Sequence, residues 1–209
     1  MTDEFRTIAR EVRVELTVRR SRFIATAVPA SGKQEAERAI SRIRSEFSDA
    51  THNCFAYRLG QGVGEVRTAE DGEPAGTAGR PILASITRRS LTNLVVVVTR
   101  YFGGTKLGVP GLRLAYGEVA DRALNAAEQV VVFVTESMTA SFPHAHIGSV
   151  MHALSRFGAK VTDTAYDEEV HLTIEIRQSK ANELKEMLVN QTSGNIRLRR
   201  NPRSGEEKA

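Results

Sequence analysis

The stretch from Leu94 to Tyr116 reads LVVVVTRYFGGTKLGVPGLRLAY. It opens on Leu94 and the consecutive valines Val95, Val96, Val97 and Val98. An unbroken apolar run of this kind predicts a strand buried on both faces. Arg100, Tyr101 and Phe102 then lead into Gly103 and Gly104, followed by Lys106, Gly108 and Gly111. Beyond them Leu112, Ala115, Val119, Ala123 and Ala126 fall along one stripe, which predicts a helix over 112–129. A buried strand thus delivers a glycine-rich, basic, aromatic loop to a helix start. There backbone N–H groups can approach an anion, and the helix N-terminus adds favourable potential. Arg100, Tyr101, Gly103, Gly104, Lys106, Gly108 and Arg113 are the candidate anion-binding residues on this reading.

Upstream, Val12, Val14, Leu16 and Val18 alternate with polar residues and predict a half-buried strand. A basic turn, Arg19-Arg20-Ser21-Arg22, and a second strand over 23–28 complete a hairpin. Ser31 and Gln34 form a candidate capping box for an amphipathic helix through Phe47. A short strand follows, with Cys54 and Ala56 on one face and Phe55, Tyr57 and Leu59 on the other. Residues 60–79 read as a long loop or a loop with a short hairpin, and Pro81 as the first residue of a short helix through Arg89. Near Val130 the pattern changes. Strand, helix, strand, strand, helix and strand follow at 131–139, 145–157, 160–166, 170–177, 182–190 and 196–200, the ferredoxin-like split βαβ order. The expected organisation is an N-terminal domain over 1–130, a ferredoxin-like domain over 131–201 and a polar tail over 202–209.

The totals narrow the classes. The 209 residues are 41% apolar and 26% charged, as in ordinary globular proteins. No apolar run approaches the roughly 18 residues of a membrane span, and the charged start MTDEFRTIAREV lacks an apolar secretory core. The reading is a cytoplasmic protein that does not engage a membrane. The single cysteine, Cys54, excludes an intramolecular disulfide and a multi-cysteine zinc site. Residues 1–130 carry 19 Lys/Arg against 15 Asp/Glu, and the remainder 10 against 10, so the net +4 belongs to the first part. That is compatible with a nucleic acid or ribosome partner.

Two further stretches gather ionisable residues. Asp49-Ala50-Thr51-His52-Asn53-Cys54 holds a carboxylate, an imidazole and a thiol, which admits nucleophilic or metal chemistry. The alternative there is a cysteine in a strand core with a hydrogen-bonded histidine at its edge. Glu70-Asp71-Gly72-Glu73-Pro74-Ala75-Gly76-Thr77-Ala78-Gly79 holds three carboxylates in four residues. They suit Mg²⁺ binding or acid–base work, or ion pairing with Arg100 or Lys106 in a purely structural turn. The glycine loop matches neither the phosphate loop of the P-loop proteins nor a dinucleotide fingerprint. Convergence of Asp49, His52, Glu70, Asp71 and Glu73 on the glycine loop is the expected geometry if the protein is an enzyme.

Taken in order, Ser21-Arg22-Phe23-Ile24-Ala25, then Asp49 to Tyr57, then Asp71 to Pro81, then Thr99 to Gly108, resemble the IMPACT/YigZ family over residues 18–130. The resemblance implies an α+β N-terminal domain with the left-handed β-α-β crossover of a ribosomal protein, of elongation factor G domain IV and of the GHMP kinases. It also implies a ferredoxin-like second domain similar to domain V of that elongation factor. Eukaryotic relatives act in translational control. Two positions depart from the family's pattern: Pro110 stands where Gly is usual, and Leu114 where Arg is usual, with Arg113 about 100° away on a helix. The leading expectation is a non-enzymatic protein of translational regulation that binds RNA, the ribosome or a translation-associated protein, with no cofactor and no metal. The alternative is an enzyme or ligand-binding protein for a phosphorylated small molecule, with Mg²⁺ as its ion.

Overall fold

The computed structural model describes residues 3–60 and 64–208, with side chains described as far as 201. Residues 61–63, part of the loop expected over 60–79, lie outside the described residues. The chain divides into two compact units. One is Phe5–Val130, and the other is the chain from Val131 onward together with Asp3 and Glu4. The division falls inside two strands, β1 (Glu4–Ile8) and β7 (Gln129–Phe142).

In the first unit a sheet is laid out in the order β2-β3-β6-β4-β5. Its strands are β2 (Val12–Val18), β3 (Ser21–Pro29), β4 (His52–Leu59), β5 (Glu65–Ala69) and β6 (Leu94–Tyr101). All its pairings are antiparallel. The valine run therefore lies at the centre, between β3 and β4. Its faces divide as strand alternation demands. Val95 and Val97 pack with Phe55, Tyr57, Leu59 and the buried stripe Ala36, Ala39, Ile40 and Ile43 of α1 (Lys33–Glu46). Val96 and Val98 pack with Cys54, Ala56 and the buried faces of α2 (Gly79–Arg88) and α3 (Gly108–Ala126). Fully buried aliphatic side chains such as Ile43 and Ile82 each stabilise the fold by about 1.5–3 kcal/mol.

Helix starts differ from the sequence expectation in instructive ways. At α1 the partner of Ser31 is Glu35, not Gln34: its carboxylate accepts from the Ser31 N–H at 2.8 Å and from the hydroxyl at 2.9 Å. Helix α2 begins two residues earlier than expected, at Gly79, so Pro81 is its third residue. It is still within the first turn, where no intrahelical acceptor awaits its missing N–H. The same rule admits Pro110, the third residue of α3, which starts at Gly108 and not at Leu112.

The second unit carries α4 (Ile147–Phe157), β8 (Lys160–Tyr166), β9 (Val170–Arg177), α5 (Ala181–Gln191) and β10 (Arg197–Lys208). Its strand order is β8-β9-β7-β10, antiparallel throughout, which is the ferredoxin-like arrangement. Val170, Leu172, Ile174 and Ile176 alternate inward against α4 and α5. Gly158 closes α4 with φ +67°, the left-handed C-cap expected of it. The polar tail expected from residue 202 is instead paired backbone: β10 runs to Lys208 against β7, with a register shift between Arg200 and Ser204. Pro202 falls in that irregularity, where a missing N–H costs no ladder bond. Among the described residues no helix is long and apolar enough to cross a membrane.

Candidate functional site

The end of β6 and the two loops beside it meet in the first unit. Arg100 is the last fully enclosed residue of the central strand, only 5% exposed. Its Nη1 donates to Glu73 Oε1 at 2.6 Å, and its Nη2 lies 3.3 Å from Ser21 Oγ. Glu73 is buried too, and the same Oε1 accepts from the Tyr116 hydroxyl at 2.8 Å. Burying an ion pair removes hydration from both charges, so it persists only where added hydrogen bonds compensate. Tyr116 and Ser21 supply them. The guanidinium also lies 5.4 Å from the ring centroids of both Phe23 and Phe102, within cation–π range of each. Arg100 Nε has no hydrogen-bond partner among the described residues.

His52 stands beside this pair. Its Nδ1 is 2.8 Å from the Asp71 carbonyl oxygen. A carbonyl only accepts, so Nδ1 carries the proton and Nε2 presents its lone pair in the neutral ring. Nε2 faces Glu73 Oε1 at 3.8 Å. Cys54 lies deeper, its Sγ 2.9 Å from the Glu70 carbonyl oxygen and 3.4 Å from the Tyr116 hydroxyl. Burial pushes the Cys54 thiol up to about 12, although the Tyr116 hydrogen bond works against it. The thiol's full enclosure matches the strand-core alternative for that stretch, where a buried thiol is a poor nucleophile. Burial also raises the Tyr116 phenol, with the neighbouring Cys54 and Glu73 adding to it.

The three carboxylates of the Glu70–Glu73 turn have separate tasks. Glu70 caps α2: its carboxylate accepts from the N–H groups of Gly76 at 3.1 Å, Ala78 at 2.8 Å and Gly79 at 3.1 Å. A negative charge there opposes the helix dipole and satisfies orphan donors. Asp71 accepts the Asn53 N–H at 2.7 Å and pairs with Arg44 at 3.1 Å. Only Glu73 turns inward. Asp49 is elsewhere again, accepting the Tyr101 hydroxyl at 2.7 Å. Of the five residues expected to converge if the protein is an enzyme, the side chains of His52 and Glu73 do so. Asp71 contributes through its main chain, and Asp49 and Glu70 are committed to structural bonds. Among the described residues no three His, Cys, Asp or Glu side chains are placed to hold a metal ion.

The anion-binding candidates divide likewise. Arg100 was expected to face an anion and instead faces Glu73, because the strand that carries it is enclosed on both sides. Lys106 and Arg113 are exposed and have no carboxylate partner among the described residues. Arg113 Nε donates to the Gly76 carbonyl oxygen at 3.2 Å, which joins the start of α3 to the acidic turn. Leu114 is 74% exposed. Gly104 and Gly108 bend the loop with φ of +84° and +72°. Gly103 serves close approach: a Cβ there would sit 2.1 Å from the Arg20 carbonyl. Its N–H bonds Ser21 Oγ at 3.2 Å. Sequence reasoning passed over Tyr116 and Ser21 as site residues. Tyr116 lies on a helix face of small residues that reads as core, and its hydroxyl was the one available signal, since a buried hydroxyl needs a partner.

Fold and site together define a protein of the Impact N-terminal type. Residues 19–124 match the profile of the Impact N-terminal domain, and residues 141–195 match a Domain of unknown function (DUF1949). The chain belongs to the IMPACT family. It is 34% identical to IMPACT family member YvyE of Bacillus subtilis over 180 residues, covering 86% of this chain and 83% of that protein. It is 40% identical over 149 residues to an IMPACT family member of Thermus thermophilus, covering 71% and 79% of the two chains. A crystal structure of a hypothetical protein, 28% identical, superposes with a TM-score of 0.71 over 95% of this chain and 97% of the other.

Proposed function

We propose that the protein serves in translational regulation, in the cytoplasm, by binding RNA or the ribosome through the first unit. The observation that carries this reading is the rim of the glycine loop. Among the described residues Lys106 and Arg113 stand exposed without carboxylate partners, beside backbone fixed by the buried Arg100–Glu73 pair. Phosphate contacts of this kind make affinity fall steeply with salt. Family membership supports the translational setting. The test is binding of purified ribosomes and of structured RNA across a salt series, with Lys106→Ala as comparison. Each lost phosphate contact should reduce the salt slope by roughly 0.7–0.9. Absent binding at low salt, or affinity insensitive to both salt and Lys106→Ala, sinks the reading.

A second reading has its own observation. His52 Nε2, aimed at Glu73 and held in one tautomer by Asp71, is a base within reach of one bridging water or hydroxyl. It fits a protein that binds or transforms a phosphorylated small molecule. Titration calorimetry with nucleoside and sugar phosphates tests it. Binding lost in His52→Ala supports it, and absence of heat from every such compound rejects it.

A further inference from the structure

We propose that the Arg19-Arg20 hairpin tip and the Phe102 ring form a binding site for single-stranded RNA. The proposal rests on the RNA-binding reading above and gives it a contact surface. Hairpin β2–β3 closes through two residues, with Val18 paired to Ser21. Both turn residues adopt left-handed backbone, φ +45° at Arg19 and +68° at Arg20. Turns of that hand favour Asn-Gly, because a side chain crowds the following carbonyl there. The arginines are therefore a poor choice for the turn itself. Nor does packing call for them: both are exposed, and among the described residues neither side chain has a hydrogen bond or an ion pair. Strained positions held by costly residues point to a task outside the fold.

Phe102 lies next to this tip. Gly103 abuts the Arg20 main chain so closely that a Cβ would collide with it, so tip and aromatic loop are neighbours in space. The ring is 46% exposed. Its backbone N–H is pinned to Thr51 Oγ1 at 3.0 Å. The Arg100 guanidinium lies 5.4 Å from its centroid, and Glu73 clamps that guanidinium. Phe102 is thus a positioned, cation-backed ring that remains open to solvent. The acids nearby are engaged, Glu15 by Arg22 and Asp49 by Tyr101, while Lys106 of the same loop adds an exposed cation with no carboxylate partner among the described residues. Cations tracking a backbone beside an aromatic platform are the chemistry of single-strand binding, with phosphates on the arginines and a base on the ring. A duplex keeps its base faces stacked inside and cannot use such a ring.

The test uses the full chain and a labelled single-stranded RNA of about 12 nucleotides, comparable to known site sizes. Arg19→Asn with Arg20→Gly should melt higher than the wild type, since it supplies the preferred turn. It should nevertheless bind more weakly, with a salt slope shallower by about 1.4, two single-strand phosphate contacts. Phe102→Ala should lower affinity about 5- to 150-fold with the slope unchanged, the range expected for one stacked base. Duplex RNA of the same length should bind more weakly than the single strand. Unchanged affinity and slope in the more stable double variant overturn the proposal, as does an unaffected Phe102→Ala or equal binding of duplex. If Lys106→Ala still weakens binding in that case, the RNA reading survives. A wild type that binds no RNA overturns both.

Discussion

The two units answer the same problem, a sheet with apolar surface to bury, in different ways. In the first, helices cover both faces, so β6 carries valine at every position from 95 to 98. In the second, helices cover one face, and β9 alternates Val170, Leu172, Ile174 and Ile176 with His171, Thr173, Glu175 and Arg177. The doubly covered sheet leaves no face for chemistry, so polar groups collect where its central strand ends. Their ion pair is enclosed: Arg100 and Glu73 are 5% and 3% exposed in their side chains. The comparable pair of the second unit, Lys185 with Glu136, stays open on one side, with Arg200 Nε 3.6 Å from the same carboxylate. Coverage thus decides whether a charge pair is enclosed with a fixed geometry or shares its charge with solvent.

The largest expected effect separates those pairs. Arg100→Ala leaves Glu73 as a buried, unpaired carboxylate and should destabilise the first unit by about 3–5 kcal/mol in denaturant unfolding. A loss below about 1 kcal/mol would mean that the two-sided coverage does not enforce the pair. Next comes the sheet itself. Val96→Thr and Val97→Thr, on opposite faces, should each cost about 1–3 kcal/mol, because each buries a hydroxyl. Thr173→Val on the open face of β9 should stay within about 0.5 kcal/mol. A large cost for only one of the valines would show that one face of β6 is not enclosed.

Cys54 provides a pH-dependent measure of the same enclosure. An unfolded cysteine loses its proton near its ordinary 9.0, whereas the folded thiol keeps it to about 12. The folded state therefore binds more protons in that window, and stability falls as pH rises from 9 to 12, by about 1.4 kcal/mol per unit for one proton. Cys54→Ala should flatten the pH dependence of the urea midpoint over that range, leaving the share owed to Tyr116. The smallest effect belongs to the open pair. Lys185→Ala should cost about 1 kcal/mol, since Lys185 is part-exposed and Arg200 stays beside the buried Glu136 carboxylate to compensate it.

What the sequence made legible follows the same contrast. Period and run length identified β2, β4, β6, β8 and β9 because side-chain burial is periodic, and even assigned Cys54 and Phe55 to opposite faces correctly. The three motif-bearing stretches do meet, through the contacts among His52, Asp71, Glu73 and Arg100. Features set by the backbone were less readable. Strand β1 has five residues, too few for a pattern, and β10 continues through polar residues because ladder bonds do not depend on side-chain polarity. The three carboxylates of the Glu70–Glu73 turn looked alike in the sequence. Their division into a cap, a loop tie and a buried partner comes from the direction each side chain takes, which spacing in a loop does not encode.

The central place of β6 also bears on the order in which a growing chain acquires structure. Strands β3 and β4 emerge first during synthesis, yet neither pairs with the other; each pairs with β6. The middle of the sheet is thus missing until Tyr101 has been made, and the Glu73 clamp until Tyr116 has followed. Nascent chains halted before Leu94 should show the β2–β3 hairpin without a protease-resistant sheet, and resistance should arise in one step once α3 is free of the exit tunnel.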